Sequence, residues 1–211
     1  MNRIWIWSAL FFLIVLGCTK RENTKVAIQP FTGFPTELID SVEFAIQRFY
    51  GFQTIRLEPI DIPENYFVQI KSPRYRADSI IRFLKENRPK GVDHIIGLTT
   101  KDISTTKRDK FRKIKQPESK YADWGVFGLG YRPGSSCVVS TYRIFSADKV
   151  KNINRLQKVS LHELGHNLGI PHCPDIDCFM RDANETIKTI DFVDVNLCAK
   201  CRSRIHKFSL Q

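Results

Sequence analysis

No apolar run in the 211-residue sequence is long enough for a confident membrane span, and no segment recurs at a repeat period. The first absence argues against a chain threaded through a bilayer. The second argues against a solenoid. No helix-turn-helix, RNA-binding aromatic signature or two-Cys-two-His finger spacing accompanies the net charge of +11. Specific nucleic-acid binding therefore has only charge behind it and is not expected. Compositional bias is missing too: 42% hydrophobic and 26% charged residues are ordinary globular values, which excludes wholesale disorder. Acidic residues are the minority, 22 against 33 Lys and Arg. That excess reads either as a solvated basic surface or as a face for acidic partners.

What is present begins with a leader. Arg3 precedes an apolar run from Ile4 to Leu16, the length of a secretory h-region. The run ends in Val15-Leu16-Gly17-Cys18, which resembles the lipobox of bacterial lipoproteins, with Val15 where Leu is usual. On this reading residues 1–17 are a signal peptide, Cys18 is the lipidated first residue of the mature chain, and residues 18–24 are a tether. Acyl chains contribute about 0.8 kcal/mol per buried methylene, so several of them anchor durably. The protein is then exported and membrane-anchored, on the periplasmic or cell-surface side. The alternative is an uncleaved signal anchor, or an ordinary signal peptide with a chance cysteine. The remainder, residues 25–211, has the size of one domain.

Periodicity gives the coarse elements. Val26-Ala27-Ile28 reads as a strand, and Pro35 to Tyr50 as an amphipathic helix closed by Gly51. Further strands are expected at Thr54–Ile60, Asp93–Leu98, Trp124–Leu129 and Cys137–Thr141, with a helix over Ala77–Leu84. Lys101 to Lys120 holds eight Lys or Arg and three acids, and reads as an exposed basic loop. A third helix runs from Lys151 to Leu168, and a last one from about Asp194 to Ile205. The order implies an α/β fold: a mixed sheet covered by helices. His94, in an apolar strand, reads as a core histidine, Cys137 as a buried apolar cysteine, and His206 as a helix-end residue.

The third helix ends in H-E-L-G-H-N-L-G-I-P-H, residues 162–172. Side chains four apart lie on one helix face, so His162 and His166 present imidazoles to one ion. Glu163 stands beside them. Gly169 tolerates a left-handed conformation and lets the chain leave the helix sharply, bringing His172 back as a third ligand. Three nitrogens leave the fourth tetrahedral position of a zinc ion open for water, the catalytic arrangement. Such a water is acidic enough for Glu163 to act as general base on it. The constellation points to metal-assisted hydrolysis of a peptide substrate. A zinc-stabilised binding module without turnover is the alternative, and a missing glutamate would have favoured it; Glu163 is in place.

Cys173, Cys178, Cys198 and Cys201 follow, as two close pairs. They suit either a closed, structural zinc site or, in an exported protein, two disulfides. Met180 lies between them. The whole run, H-E-x-x-H-x-x-G-x-x-H-C-x4-C-x-M-x17-C-x-x-C from His162 to Cys201, resembles the archaemetzincin signature at every fixed position. The resemblance implies a compact metzincin-like (zincin) fold with a mixed twisted sheet, and two zinc ions per chain. The catalytic ion falls on the three histidines and a structural one on the four cysteines. It also places Met180 in the apolar floor under the histidines, and implies aminopeptidase-like action on short peptides. By the same resemblance Trp124, Gly125, Val126, Phe127 and Gly128 form an exposed edge strand that pairs with substrate. The leader, and a basic stretch after Asp102 that is longer than usual, depart from the family pattern.

Overall fold

In a computed structural model, residues 23–183 and 186–208 are described. The expected signal peptide, the lipidation site Cys18 and most of the tether lie outside them. Among the described residues no helix is long and apolar enough to cross a membrane.

Strands β1 (Lys25–Pro30), β5 (His94–Thr99) and β9 (Ser136–Ser140) form the centre of a five-stranded sheet, with helix α1 (Thr36–Tyr50) returning the chain to the outer strand β2 (Gln53–Arg56). The order is β2-β1-β5-β9-β8, parallel except for β8 (Gly128–Gly130), which pairs antiparallel with β9 at the edge. A second sheet of four short strands runs β3 (Phe67–Gln69), β4 (Pro73–Arg76), β6 (Ile103–Thr105), β7 (Trp124–Val126). Central strands of a parallel sheet are buried on both faces, and here successive residues serve different cores. Val26, Ile28, Ile96, Leu98, Cys137 and Val139 pack on one side. Ala27, Ile95 and Val138 pack on the other, against α2 (Ala77–Glu86).

The first side holds α1 and the long helix α4 (Lys149–Asn167). Asp148 caps α4, its side chain accepting from the Lys151 backbone N–H at 3.0 Å. Leu156, Leu161 and Leu164 are fully buried on its inner face. Each stabilises the packing by about 2 kcal/mol. These contacts set the helix rigidly against β8 and β9, so its outward face is fixed relative to the sheet edge. Two helices follow, α5 (Ile187–Phe192) and α6 (Ala199–Phe208).

Four expectations need correction. The strand at Thr54–Ile60 ends at Arg56, and only Ile60 returns, in an isolated bridge to Phe31. The stretch from Trp124 to Leu129 is not one strand: it pairs with β6, then crosses at Phe127 to pair with β9 in the other sheet. The basic stretch is not all exposed loop. Its start, Asp102–Ser104, is buried, and its end forms the short helix α3 (Glu118–Tyr121). Asp102 can be buried because Arg74 and Arg143 both bond its carboxylate, at 2.9 Å and 2.6 Å. Partners that far away in the chain leave no local signal. The last helix also begins later than expected, at Ala199, and α5 precedes it.

Candidate active site

The last turn of α4 carries His162, Glu163 and His166, and its termination decides where His172 goes. Gly169 has φ +80°, and two hydrogen bonds close the helix: Gly169 N–H to His166 O at 2.9 Å and Ile170 N–H to Gly165 O at 3.0 Å. This is a Schellman motif, which needs a residue without a Cβ penalty at the left-handed position. The chain reverses there. His172 arrives beside the helix, its ring 4.8 Å from that of His166 and 5.3 Å from that of His162.

The three histidines each offer a ring nitrogen, and these atoms lie within 4.8 Å of one another. Their other nitrogens are directed by oxygen atoms. His162 Nδ1–H donates to Phe179 O at 2.7 Å, and His166 Nδ1–H to Ile170 O at 2.8 Å. His172 Nδ1 faces Asp182 Oδ2 at 3.5 Å. A donating Nδ1–H fixes the tautomer that leaves the Nε2 lone pair free to ligate. The Nε2 atoms of His166 and His172 are 3.2 Å apart. Tetrahedral zinc with nitrogen donors about 2.0–2.1 Å away separates them by about 3.3 Å, so the donor set fits that ion. Burial pushes the His162 imidazole down to about 3 and the His166 imidazole down to about 4. Both are then neutral near pH 7, as ligands must be.

Glu163 lies against the edge strand and lines the cleft. It is buried, and burial pushes its carboxyl up to about 8. Gly128 makes room for it: a Cβ there would lie 2.6 Å from Glu163 Cγ. The edge strand therefore lies directly on the carboxylate. Met180 is fully buried, next to Phe179 whose carbonyl accepts from His162.

The four cysteines gather in a second cluster, with sulfurs within 4.8 Å of one another. All four are free, and Cys173 Sγ is 3.7 Å from Cys198 Sγ. Tetrahedral zinc with sulfurs at about 2.3 Å separates them by about 3.8 Å, whereas a disulfide needs about 2.0 Å. The two clusters share a strut. Cys173 N–H donates to Met180 O at 2.8 Å, and Cys173 directly follows His172.

A cleft of about 810 Å³ runs between this wall and the edge formed by β7 and β8. Trp124, Gly125, Val126, Phe127 and Gly128 all line it, so the two half-strands replace the single expected one as its rim. His94 is half-buried and lines neither cluster; burial lowers its pKa.

Sequence reasoning passed over several residues. Asp182, whose carboxylate faces His172, sits in an acid-rich stretch with no spacing to mark it. Asn167 adjoins His166 and its amide donates to Tyr131 O at 3.0 Å and Ser136 O at 2.9 Å, fastening the β8–β9 connection to the helix. Lys158 lies one turn before His162 in the cleft wall and donates to Ile190 O at 2.8 Å. Such a residue is legible from the four-residue spacing, though not its carbonyl partner.

The chain is similar to known proteins. The model of peptidase family M54 matches residues 29–207. An archaemetzincin from Haloarcula marismortui is 30% identical over 157 residues, 70% of this chain and 80% of its own. The crystal structure of archaemetzincin from Methanopyrus kandleri superposes with a TM-score of 0.71 at 24% identity, covering 90% of this chain and 97% of that one. That of archaemetzincin from Archaeoglobus fulgidus complexed with malonate gives a TM-score of 0.68, also at 24% identity, covering 86% and 99%.

Proposed function

Because the chain belongs to peptidase family M54 and is a zinc metallopeptidase, we propose that His162, His166 and His172 hold its catalytic zinc and that Glu163 is its general base. The observation that carries this is the convergence of three imidazoles, each with Nδ1 facing an oxygen, beside a buried carboxyl. When bound, zinc supplies Lewis acidity that polarises the scissile carbonyl and acidifies a water.

The chain's own residues do the rest. The backbone of Gly128–Gly130 offers its open edge to an extended peptide, holding the scissile bond over Glu163. A Glu163 carboxylate oxygen takes the proton of the attacking water and later returns it to the leaving amine. A carboxyl that titrates near 8 without a cation is pulled lower by one nearby, so it is ionised when needed. Asp182 and the carbonyls of Phe179 and Ile170 keep the rings aimed.

Cys173, Cys178, Cys198 and Cys201 take a second, structural zinc on this reading, giving two ions per chain; the sulfur spacing supports it. The substrates are short peptides cut in an aminopeptidase-like manner, which rests on the family resemblance. The lipobox-like sequence at Cys18 supports export and a lipid anchor.

The test is Glu163→Gln. Zinc content should match the parent while turnover of a peptide library falls by about 10²-fold or more. Cleavage at the parent rate would sink the general-base assignment. For the anchor, Cys18→Ala should leave the protein unprocessed or release it from membranes.

A further inference from the structure

The wall of the cleft built from α4 and α5 is apolar with one cation set into it. Val159, Phe179, Ile190 and Val193 line the cleft and are each buried. Lys158 lines it too, one helical turn before His162. It is not placed like a solvated surface lysine. The residue is half-buried, its Nζ donates to Ile190 O at 2.8 Å, and burial lowers its pKa. An ammonium carries three donors, and that carbonyl takes one. Among the described residues no carboxylate bonds to it. Asp191 and Asp194 act on it through their charge alone, Arg155 opposes them, and Asp191 is held by Arg155 and Lys151. Two N–H groups of a partly desolvated cation are therefore left for a partner, and burying them without one is unfavourable.

We propose that Lys158 and the apolar side chains around it form a subsite for a glutamate side chain of the peptide, one or two residues C-terminal to the scissile bond. The position follows from how the edge strand lies on the helix. A Cβ on Gly128 would meet the Glu163 side chain, whereas one on Gly130 would meet Glu163 O at 2.7 Å and the Asn167 amide at 3.3 Å. The edge from Gly128 to Gly130 thus runs in the same sense as α4, and the Lys158 end of the helix lies toward Phe127. Antiparallel pairing is the stronger mode, and it sets that end opposite the C-terminal side of an extended substrate. One helical turn rises about 5.4 Å and an extended peptide advances about 3.3 Å per residue, so Lys158 stands one or two residues beyond the bond held over Glu163. Glutamate suits the recess because its methylenes lie along the apolar wall while its carboxylate reaches the ammonium in a charge-assisted hydrogen bond. Aspartate is one methylene shorter.

This subsite rests on the peptidase reading above, so the experiment has an arm independent of catalysis. First, C-terminally amidated peptides carrying one Glu at each position flanking the bond are compared with their Gln and Asp counterparts. Glu one or two residues to the C-terminal side should raise kcat/KM over Gln by about ten-fold, mainly through KM, with a smaller gain for Asp. In Lys158→Met, which keeps an unbranched apolar stem, the Glu-to-Gln ratio should fall to about one; Lys158→Arg should keep the preference. A lysine that only ties α4 to α5 would change thermal stability on substitution and leave that ratio as it was. Equal efficiency for Glu and Gln at every position, or a preference that survives Lys158→Met, overturns the subsite while leaving the peptidase reading intact. So does a gain seen only when the peptide ends there in a free carboxylate.

Second, binding of the same peptides, fluorescein-labelled, to full-length Glu163→Gln is followed by anisotropy. A Kd about ten-fold lower for the Glu peptide than for the Gln peptide, with the difference lost in Glu163→Gln/Lys158→Met, supports the subsite even where the parent cuts no substrate. Equal Kd values for the two peptides, or no binding of either, overturn it.

Discussion

Met180 Sδ lies 2.5 Å from the point that a Cβ on Gly165 would occupy, so the helix carrying the histidines and this sulfur are in direct contact through a missing side chain. Gly165 sits between His162 and His166 in α4. In a helix interior glycine costs about 1 kcal/mol relative to alanine. Here contact outweighs propensity. Met180 is fully buried, and Tyr50, whose hydroxyl is 3.1 Å from the same point, is held to Leu161 O at 2.8 Å. Gly165→Ala is expected to destabilise by about 1 kcal/mol net, with overpacking exceeding the propensity gain. It should also weaken the histidine site more than the cysteine site. A raised melting temperature with unchanged zinc affinity would show that Met180 has room to move.

Asp182→Asn should loosen His172 without removing a ligand. The carboxylate faces Nδ1 at 3.5 Å and both groups are about half exposed, so little folding stability is at stake. Zinc affinity of the histidine site should fall by about ten-fold, the lower end for outer partners of metal-bound histidine. Competition with a chelator measures it. Unchanged affinity would mean that Asp182 does not orient the ring.

Changing Cys198 and Cys201 to Ser should lose one zinc per chain and loosen the segment after His172. Thiolate is the preferred donor, and hydroxyl replaces it poorly. Cys173 also ties directly to Met180, so peptidase activity should drop as well. A metal count unchanged by the double substitution would remove the second zinc.

The Arg155–Asp191 pair fastens α5 to α4, and it gives a pH dependence. Arg155 Nε bonds Asp191 Oδ1 at 2.6 Å, and the guanidinium also reaches Ile144 O at 2.7 Å. Hydrogen bonding from Arg155 holds the Asp191 carboxyl down to about 2. A carboxyl lowered on folding contributes its full stability above its unfolded value of about 3.9 and loses it as pH falls through the folded value. Asp191→Asn should therefore cost about 2 kcal/mol near neutrality, reduced because the carboxylate is partly exposed. The gap from the parent should close between about pH 4 and pH 2. Urea unfolding of both proteins across that range measures it; a gap independent of pH would show that the pair's charge is not what matters.

The residues of the histidine cluster were legible because helical spacing and a turn residue place them almost without help. His162, Glu163 and His166 fall on one face by geometry alone, and Gly169 announces the reversal that returns His172. The paired cysteines were legible as a cluster, but spacing left zinc and disulfides both open, and the free sulfurs at 3.7 Å needed the fold. Long periodic elements such as α1 and α4 were also readable, since each repeats its apolar signal over several turns.

Tertiary structure alone decided what comes from far apart. The split of Trp124–Gly130 between two sheets depends on whether β6 or β9 supplies the neighbouring backbone, and backbone groups carry no residue-specific mark. The carbonyls of Phe179 and Ile170 aim the histidines for the same reason unseen in sequence. The basic stretch shows the limit most plainly. Its charges are counted easily, but whether each is solvated, neutralised or aimed into the cleft depends on partners 28 to 49 residues away, as at Arg74–Asp102 and Lys71–Lys120. Local sequence sets which groups a segment offers; the meeting of distant segments sets which of them face one another, and at this cleft that meeting brings Lys107 and Lys120 over Trp124.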